Sequence, residues 1–351
     1  MYHLIFGQSL TIHMYSWNLS QPQHNRHPLL RLDIWMPRPR KCLISLSDTP
    51  YYHCVSRCVR RAYLCGEDKV SGRSYEHRRQ WVEDRLMLLA EVFCVDVCAF
   101  AIMSNHTHVV LRINKQKADA LSTKEIIQRW HKLFKGMLLS QRFIRPEQGK
   151  NLTEAEIATV AAIAEVYRRR LYDISWFMRL LNEYIARQAN KEDDCTGHFW
   201  EGRFKSQALL DDAALAACMA YVDLNPIRAG IAKTPETSNH TSIQQRINAA
   251  KSNKQPKLLF PFAGNIRANM PDGLPFQLQD YLALVESSGR HYHPQKRGKI
   301  EDTASPILSR TGLELADWQT MISGIETEFQ TFVSIEKLYR NLSRKNNYNS
   351  A

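Results

Sequence analysis

The chain has 351 residues, and 47 lysines and arginines against 35 aspartates and glutamates give a formal net charge of +12. A hydrophobic fraction of 44% is enough to build a core, which excludes a disordered protein, and the length suits one large domain or two ordinary ones. No run of residues stays apolar for long enough to cross a membrane as a helix. The positive charge predicts an anionic partner, nucleic acid first and an anionic membrane surface second.

Cysteine usage indicates a reducing compartment. A chain of this length needs no disulfide cross-links, and its start shows no secretory signal, so we expect reduced thiols and a cytoplasmic protein. A zinc site is conceivable from the paired spacing of Cys54 with Cys58 and of Cys94 with Cys98. Because the sequence has no Cys-x-x-Cys pair, ordinary buried cysteines are the favoured interpretation. The eight cysteines are Cys42, Cys54, Cys58, Cys65, Cys94, Cys98, Cys195 and Cys218.

The first third of the chain predicts a short series of strands around one helix. Residues 1–35 show no clear period, and we interpret them as a loose arm or a misassigned start, with Met36 as the natural initiator. Residues 50–61 alternate β-forming and polar side chains and predict a strand, whereas residues 74–93 have the apolar spacing of a helix. Residues 95–113 predict a β-hairpin that turns at Ser104 and Asn105.

Helices are predicted for most of residues 114–190. Ser122 with Glu125, and Thr153 with Glu156, have capping-box spacing. Residues 167–190 have the pattern of one long amphipathic helix.

The remainder of the chain is predicted to be mixed. Residues 198–210 return to strand character, and Asp211 or Asp212 then caps a helix that Pro226 ends. Residues 231–275 are rich in Pro, Asn, Ser and Gly and predict a loop or linker. Short helices are expected at 276–287 and 314–345, with a basic, histidine-containing loop between them.

The segment Asn105-His106-Thr107-His108 is the first candidate for chemistry. Side chains alternate along a strand, so His106 and His108 point to the same face, about 6–7 Å apart. Two imidazoles at that spacing can share one divalent metal. The alternative is a pair of surface histidines without a ligand.

The second candidate is Tyr221, in the segment AYVDLNP near the end of a predicted helix. Asn225 follows one helical turn later, and Ala214 and Ala217 leave room beside the phenol. Tyr221 is either a core tyrosine or a nucleophile, and a phenol attacks phosphorus well when a metal polarises the phosphate.

A third feature is the segment FWEGRFK, residues 199–205, in which aromatic and basic residues alternate. This composition suits DNA binding, with Trp200 stacking on bases and Arg203 and Lys205 contacting phosphates. A strand with a buried aromatic face and solvated charges explains it equally well. Arg57 adds positive charge on the first predicted strand.

These segments, in this order, resemble the single-tyrosine HUH transposases. The strand PYYHCVSR, the hairpin ending MSNHTHVV, and the segments FWEGRFKS and YVDLNPIRAG are similar to the REP-associated tyrosine transposases, relatives of the smallest bacterial insertion-sequence transposases. The resemblance covers roughly residues 36–235 and depends on His-x-His combined with Tyr-x-x-x-Asn-Pro. Thr107 stands where that family usually has a bulky apolar residue.

The resemblance implies an α+β, ferredoxin-like (RRM-like) fold, an antiparallel sheet with helices on one face. The helical insertion and the helical C-terminal region are expected additions that the smallest relatives lack. The resemblance also implies that His106 and His108 bind Mg²⁺ or Mn²⁺, that Tyr221 is the catalytic nucleophile, and that Asn225 completes the metal site. An amide is a plausible oxygen donor for such a cation. The implied partners are single-stranded or hairpin DNA and a second subunit in a homodimer.

The expected organisation has three parts: an arm at 1–35, an HUH nuclease domain at 36–235 with its insertion at about 114–196, and an accessory region at 236–351. The expected function is metal-dependent cleavage and strand transfer of hairpin-flanked single-stranded DNA through a 5′-phosphotyrosine, in a nucleoid-associated cytoplasmic protein. Two alternatives belong to other classes of protein. One is a catalytically silent module that binds single-stranded nucleic acid; the other is a metal phosphoesterase that uses water and needs a general base.

Overall fold

The computed structural model describes residues 44–59, 64–68, 71–145, 152–264, 271–291, 314, 316–318 and 332–340. The arm at 1–35, the initiator Met36 and most of the helix expected at 314–345 lie outside these described residues. So does most of the basic loop that precedes that helix.

The described residues contain five strands, which form one sheet. In chain order they are β1 (Tyr51–Arg57), β2 (Val95–Ile102), β3 (His106–Ile113), β4 (Lys205–Leu209) and β5 (Phe332–Val333). The spatial order is β2–β3–β1–β4–β5, with every pairing antiparallel except that of β4 with β5. The first helix, α1 (Arg78–Val92), follows β1, so the chain runs strand, helix, hairpin, helices, strand. That sequence of elements and that strand order are ferredoxin-like, which confirms the α+β fold class.

Helices fill the connection between β3 and β4, as expected. They are α2 (Lys115–Ala120), α3 (Thr123–His131), α4 (Leu138–Ile144), α5 (Glu154–Leu171) and α6 (Ile174–Glu192). Both predicted capping boxes are present: Ser122 with Glu125 begins α3, and Thr153 with Glu156 begins α5. In each box the hydroxyl and the carboxylate satisfy amide groups that have no partner inside the helix.

The long helix predicted for residues 167–190 is instead two helices. α5 ends at Leu171, and α6 begins at Ile174 after a break at Tyr172 and Asp173. The Asp173 carboxylate accepts hydrogen bonds from the backbone N–H groups of Ser175 and Trp176. Such a cap begins a new helix and competes with continuation of the old one, although the apolar periodicity runs through it.

Three other predictions after residue 209 need correction. The helix capped by Asp211 is α7 (Asp212–Arg228), and it continues through Pro226 rather than ending there. Proline removes only one amide donor in this last turn, and Gly230, at φ +68°, then closes the helix. The predicted linker contains α8 (Ser242–Ala250). Phe332 and Val333 form strand β5 where a helix was expected, although residues 316–318 and 335–340 of the same range are helical, as predicted. The helix expected at 276–287 is confirmed as α9 (Leu278–His291).

Helices cover both faces of the sheet, not one as the resemblance implied. Tyr52, Cys54 and Val109 belong to the core that the sheet shares with α1, α3, α5 and α6. Val110 and Leu209 belong to a second core, with α7 and α9. Because neighbouring residues on a strand point to opposite faces, the two cores lie on opposite sides of the sheet.

Most cysteines serve as small apolar core residues. Among the described cysteines only Cys195 is partly exposed, and the other six are buried. Burial raises the pKa of the Cys65 thiol to about 12, which keeps it protonated. In the described part of the chain, no helix combines the length and the hydropathy needed to cross a membrane.

Candidate active site

Three histidines meet on the sheet face that α7 covers. His106 and His108 lie on β3 and share a face, as the alternation predicted, with ring centroids 4.7 Å apart. His53, on the neighbouring strand β1, places its ring centroid 5.2 Å from that of His108, and the two ring planes lie within 10° of parallel. The His53 Nε2 and His108 Nδ1 atoms are hydrogen-bonded at 2.9 Å. The site therefore contains one more imidazole than the sequence predicted.

Burial determines the charge of His108, whose ring contacts both of the other histidines. His108 is fully buried between β3 and α7. Burial lowers the pKa of His108 well below its usual value, and the neighbouring His53 and His106 lower it further. A neutral imidazole is the form that binds metal ions.

Tyr221 lies over this cluster. Its helix, α7, packs across β2, β3 and β4, and the aromatic ring meets His108 edge-on with centroids 5.6 Å apart. The ring of His53 is 6.2 Å away. The guanidinium carbon of Arg228, two helical turns later on α7, lies 5.0 Å from the Tyr221 ring centroid. A cation at that distance favours a build-up of negative charge on the phenol.

Asn225 occupies the position one turn after Tyr221 and is buried. Its Nδ2 atom is a buried donor with no acceptor among the described residues. A buried amide in this situation costs free energy unless a bound group supplies the missing partner.

The donor chemistry of the cluster is compatible with a divalent cation. His106 Nδ1 donates to Asn105 Oδ1 at 2.6 Å, so the neutral ring carries its lone pair on Nε2. An oxygen acceptor on the second ring nitrogen is the usual companion of a metal-binding histidine. No three or more His, Cys, Asp and Glu side chains in the described ranges are arranged to hold a metal. The candidate ligands remain the imidazoles of His106 and His108 and the amide oxygen of Asn225, a mixed set of nitrogen and oxygen donors.

Two of the predicted DNA contacts flank the histidines on the same face. Arg57 is the register partner of His106. Lys205 and His108 are both register partners of Val55, one on each side of β1. Paired residues point to the same face of a sheet, so the two cations border the cluster. The Arg57 guanidinium also lies 3.8 Å from Glu201.

The other two predicted DNA contacts lie in the segment before β4. Arg203 is exposed there. Trp200 is half-buried against the core on the α1 side, and its indole N–H donates to the carbonyl of Asn182 at 2.8 Å. That packing orients the indole firmly and leaves only part of it exposed.

Sequence reasoning missed three residues of the site: His53, Gln207 and Arg228. The signal for Arg228 was its spacing, since residues two turns apart share a helix face. The alternation of β1 indicates the face on which His53 lies, but not the residues of the neighbouring strands that it meets. Gln207 carries no chemical signature, and only the register of β1 with β4 brings it opposite His53.

Comparisons with known proteins give little beyond this geometry. No protein-family model matches the sequence, and no curated protein matches it. A search of solved structures finds "Structure of the REP associates tyrosine transposase bound to a REP hairpin", with a TM-score of 0.34 and 11% sequence identity. The match covers 68% of this chain and 97% of that chain. Similarity at this level does not bear on function.

Proposed function

We propose that this protein is a transposase-like DNA-binding enzyme that cleaves and rejoins single-stranded, hairpin-flanked DNA through a 5′-phosphotyrosine on Tyr221. The observation that carries the proposal is the edge-on contact of Tyr221 with His108, in a cluster that also holds His106. A phenol beside two imidazoles suits phosphoryl transfer, because the imidazoles can hold the cation that polarises the phosphate.

The chain's own residues would bind the DNA and hold it for attack. Arg57, Arg203 and Lys205 neutralise backbone phosphates, which gives an affinity that falls with salt. Trp200 offers the exposed part of its indole to a base. His106, His108 and Asn225 would hold Mn²⁺ or Mg²⁺, and the bound cation would polarise a non-bridging phosphate oxygen.

The covalent step balances without an external energy source. The Tyr221 hydroxyl oxygen bonds to phosphorus as the bond from phosphorus to the 3′-oxygen breaks. The phenol proton passes to solvent, and the departing 3′-oxygen takes up a proton. The 3′-hydroxyl of another strand then attacks the same phosphorus and releases Tyr221, so one phosphodiester replaces another. Arg228, over the phenol ring, stabilises the negative charge that develops on its oxygen.

The test is an adduct assay with the full chain. Labelled single-stranded DNA from the flanks of the gene, offered both with and without a hairpin, is incubated with the protein and Mn²⁺ or Mg²⁺, then run on a denaturing gel. We expect a metal-dependent, protease-sensitive shifted band that disappears in Tyr221→Phe. Tyr184→Phe is the matched control, because Tyr184 lies on α6, in the layer on the other face of the sheet.

Other outcomes would support the alternatives. Cleavage that leaves no adduct and survives Tyr221→Phe would show a water-using phosphoesterase. Tight binding of the hairpin DNA without cleavage or adduct would show a silent binding module. The proposal also includes a homodimer associated with the nucleoid, which light scattering and chromatin fractionation would test separately.

A further inference from the structure

We infer that His53 is a positioning residue, which fixes the tautomer of His108 so that its Nε2 atom carries the lone pair. The inference rests on the proposed function, because it concerns how one of the candidate metal ligands is oriented. It adds to the site a series of hydrogen bonds that crosses three strands. The His-x-His spacing alone does not predict these bonds.

The chain of hydrogen bonds runs from β4 through β1 to β3. Gln207 Oε1 and His53 Nδ1 are 2.7 Å apart, and His53 Nε2 and His108 Nδ1 are 2.9 Å apart. All three side chains are buried. The nearly parallel planes of the two rings let the nitrogen of each lie in the plane of the other, which is the favourable geometry for such a bond.

The amide of Gln207 determines which atom donates and which accepts in each of these hydrogen bonds. An amide oxygen only accepts, so His53 Nδ1 must donate to it. In the neutral form of His53 the single N–H is the one on Nδ1, so Nε2 accepts, and the donor is the Nδ1–H of His108. His108 then carries its lone pair on Nε2, on the far side of its ring from His53. That is the same tautomer that Asn105 imposes on His106.

Strand pairing explains why these residues meet. His53 is the register partner of Gln207 on β4 and of Val110 on β3, one position along its face from His108. His53 therefore reaches His108 diagonally across the sheet, within the range of long side chains. Such partners of metal-binding histidines typically contribute about 10–100-fold to metal affinity.

The tautomer can be read directly in the metal-free, DNA-free full chain. Long-range ¹H–¹⁵N correlation spectra of protein labelled with ¹⁵N-histidine distinguish a protonated Nδ1 from a protonated Nε2. We expect a protonated Nδ1 for His108, assigned by its loss in His108→Gln. A protonated Nε2 in the unmodified protein would overturn the inference, whatever the protein does to DNA.

Two substitutions at His53 separate positioning from packing. His53→Gln keeps an amide group near the place of Nε2, whereas His53→Leu fills the volume without any acceptor. We expect His53→Leu to lose the Nδ1–H signal and to bind Mn²⁺ about 10–100-fold more weakly, measured by electron paramagnetic resonance. His53→Gln should retain the signal and most of the affinity. Equal losses in the two variants, or unchanged affinity in His53→Leu, would overturn the inference.

A failure of the proposed function would give a different result from a failure of this inference. In that case His108 shows the expected tautomer, but the protein forms no adduct through Tyr221 and the Tyr221→Phe change has no effect. Circular dichroism on each variant, and a urea unfolding curve, identify any variant that has simply lost its fold.

Discussion

Tyr281 holds the helix that carries Tyr221, and removing its hydroxyl group should cost measurable stability. Asp223 lies on α7, two residues after Tyr221, and its carboxylate is fully buried. One oxygen accepts from the hydroxyl of Ser242 and from the backbone N–H of Ile243. The other oxygen accepts from the Tyr281 hydroxyl at 2.6 Å. Burial raises the pKa of Asp223 to about 6, although these donors lower it, so the group is ionised at pH 8.

The magnitude follows from the charge and the burial of the acceptor. A hydrogen bond to a charged group contributes about 1.5–3 kcal/mol, and the Tyr281→Phe change leaves one carboxylate oxygen without this donor. The phenyl ring keeps the packing of Tyr281 against Phe262, whose ring centroid is 5.1 Å away. We therefore expect a loss of about 2 kcal/mol in the free energy of unfolding at pH 8.

Tyr52→Phe is the matched control, because it makes the same chemical change with a neutral partner. Tyr52 is also buried, and its hydroxyl donates to the carbonyl of Ser45 at 2.9 Å and accepts from the backbone N–H of Ser45 at 2.8 Å. A neutral hydrogen bond contributes about 1 kcal/mol. Because Ser45 is only partly buried, water can take the place of the lost hydroxyl at both of its backbone groups, so Tyr52→Phe should cost about half as much as Tyr281→Phe. Equilibrium unfolding in urea, followed by tryptophan fluorescence, measures both variants. A loss below about 0.5 kcal/mol in Tyr281→Phe, or equal losses in the two variants, would refute the reasoning.

Three further predictions concern the ends, the charges and the thiols of the protein. A chain that stops at residue 235 lacks all three donors to Asp223, and we expect it to be insoluble or unfolded by circular dichroism; a folded, DNA-binding fragment would contradict this. Lys205→Ala should reduce the magnitude of the slope of log affinity against log salt for hairpin DNA by about 1. Lys132→Ala, on the helical insertion, should leave that slope unchanged. Equal slopes in the two variants would show that Lys205 does not contact the DNA. In thiol titration of the native protein, Cys195 should react fastest among the described cysteines, and mass spectrometry of the modified peptides checks this.

Local signals in the sequence predicted most elements, because caps and periodicity are short-range effects. Both capping boxes and the β2–β3 hairpin follow from residues a few positions apart. Two of the errors arose where two local signals competed. At Asp173 the cap prevailed over a continuous apolar period, and at Pro226 the end of the helix tolerated a missing donor.

The candidate site also has a part that the sequence predicts and a part that it does not. The shared face of His106 and His108 and the one-turn spacing of Tyr221 and Asn225 follow from period and spacing alone. The contribution of His53 could not be predicted, because it depends on which residues β1 faces on two neighbouring strands. The two hydrogen bonds that it makes join residues 55 and 154 positions apart in the sequence. The alternation of residues along one strand does not show how that strand pairs with its neighbours.

The register also connects the region after residue 235 to the chemistry that we propose. A slip of one residue between β1 and β3 would turn His53 to the opposite face of the sheet, away from both His108 and Tyr221. Against such slips, the face that carries the histidines is fixed by α7, and α7 is fixed through Asp223 by Ser242, Ile243 and Tyr281. These three residues lie after residue 235. The residues that we propose for DNA cleavage all lie before residue 235. Within the described part of the chain, the donors to the buried carboxylate on the helix of Tyr221 all follow that position.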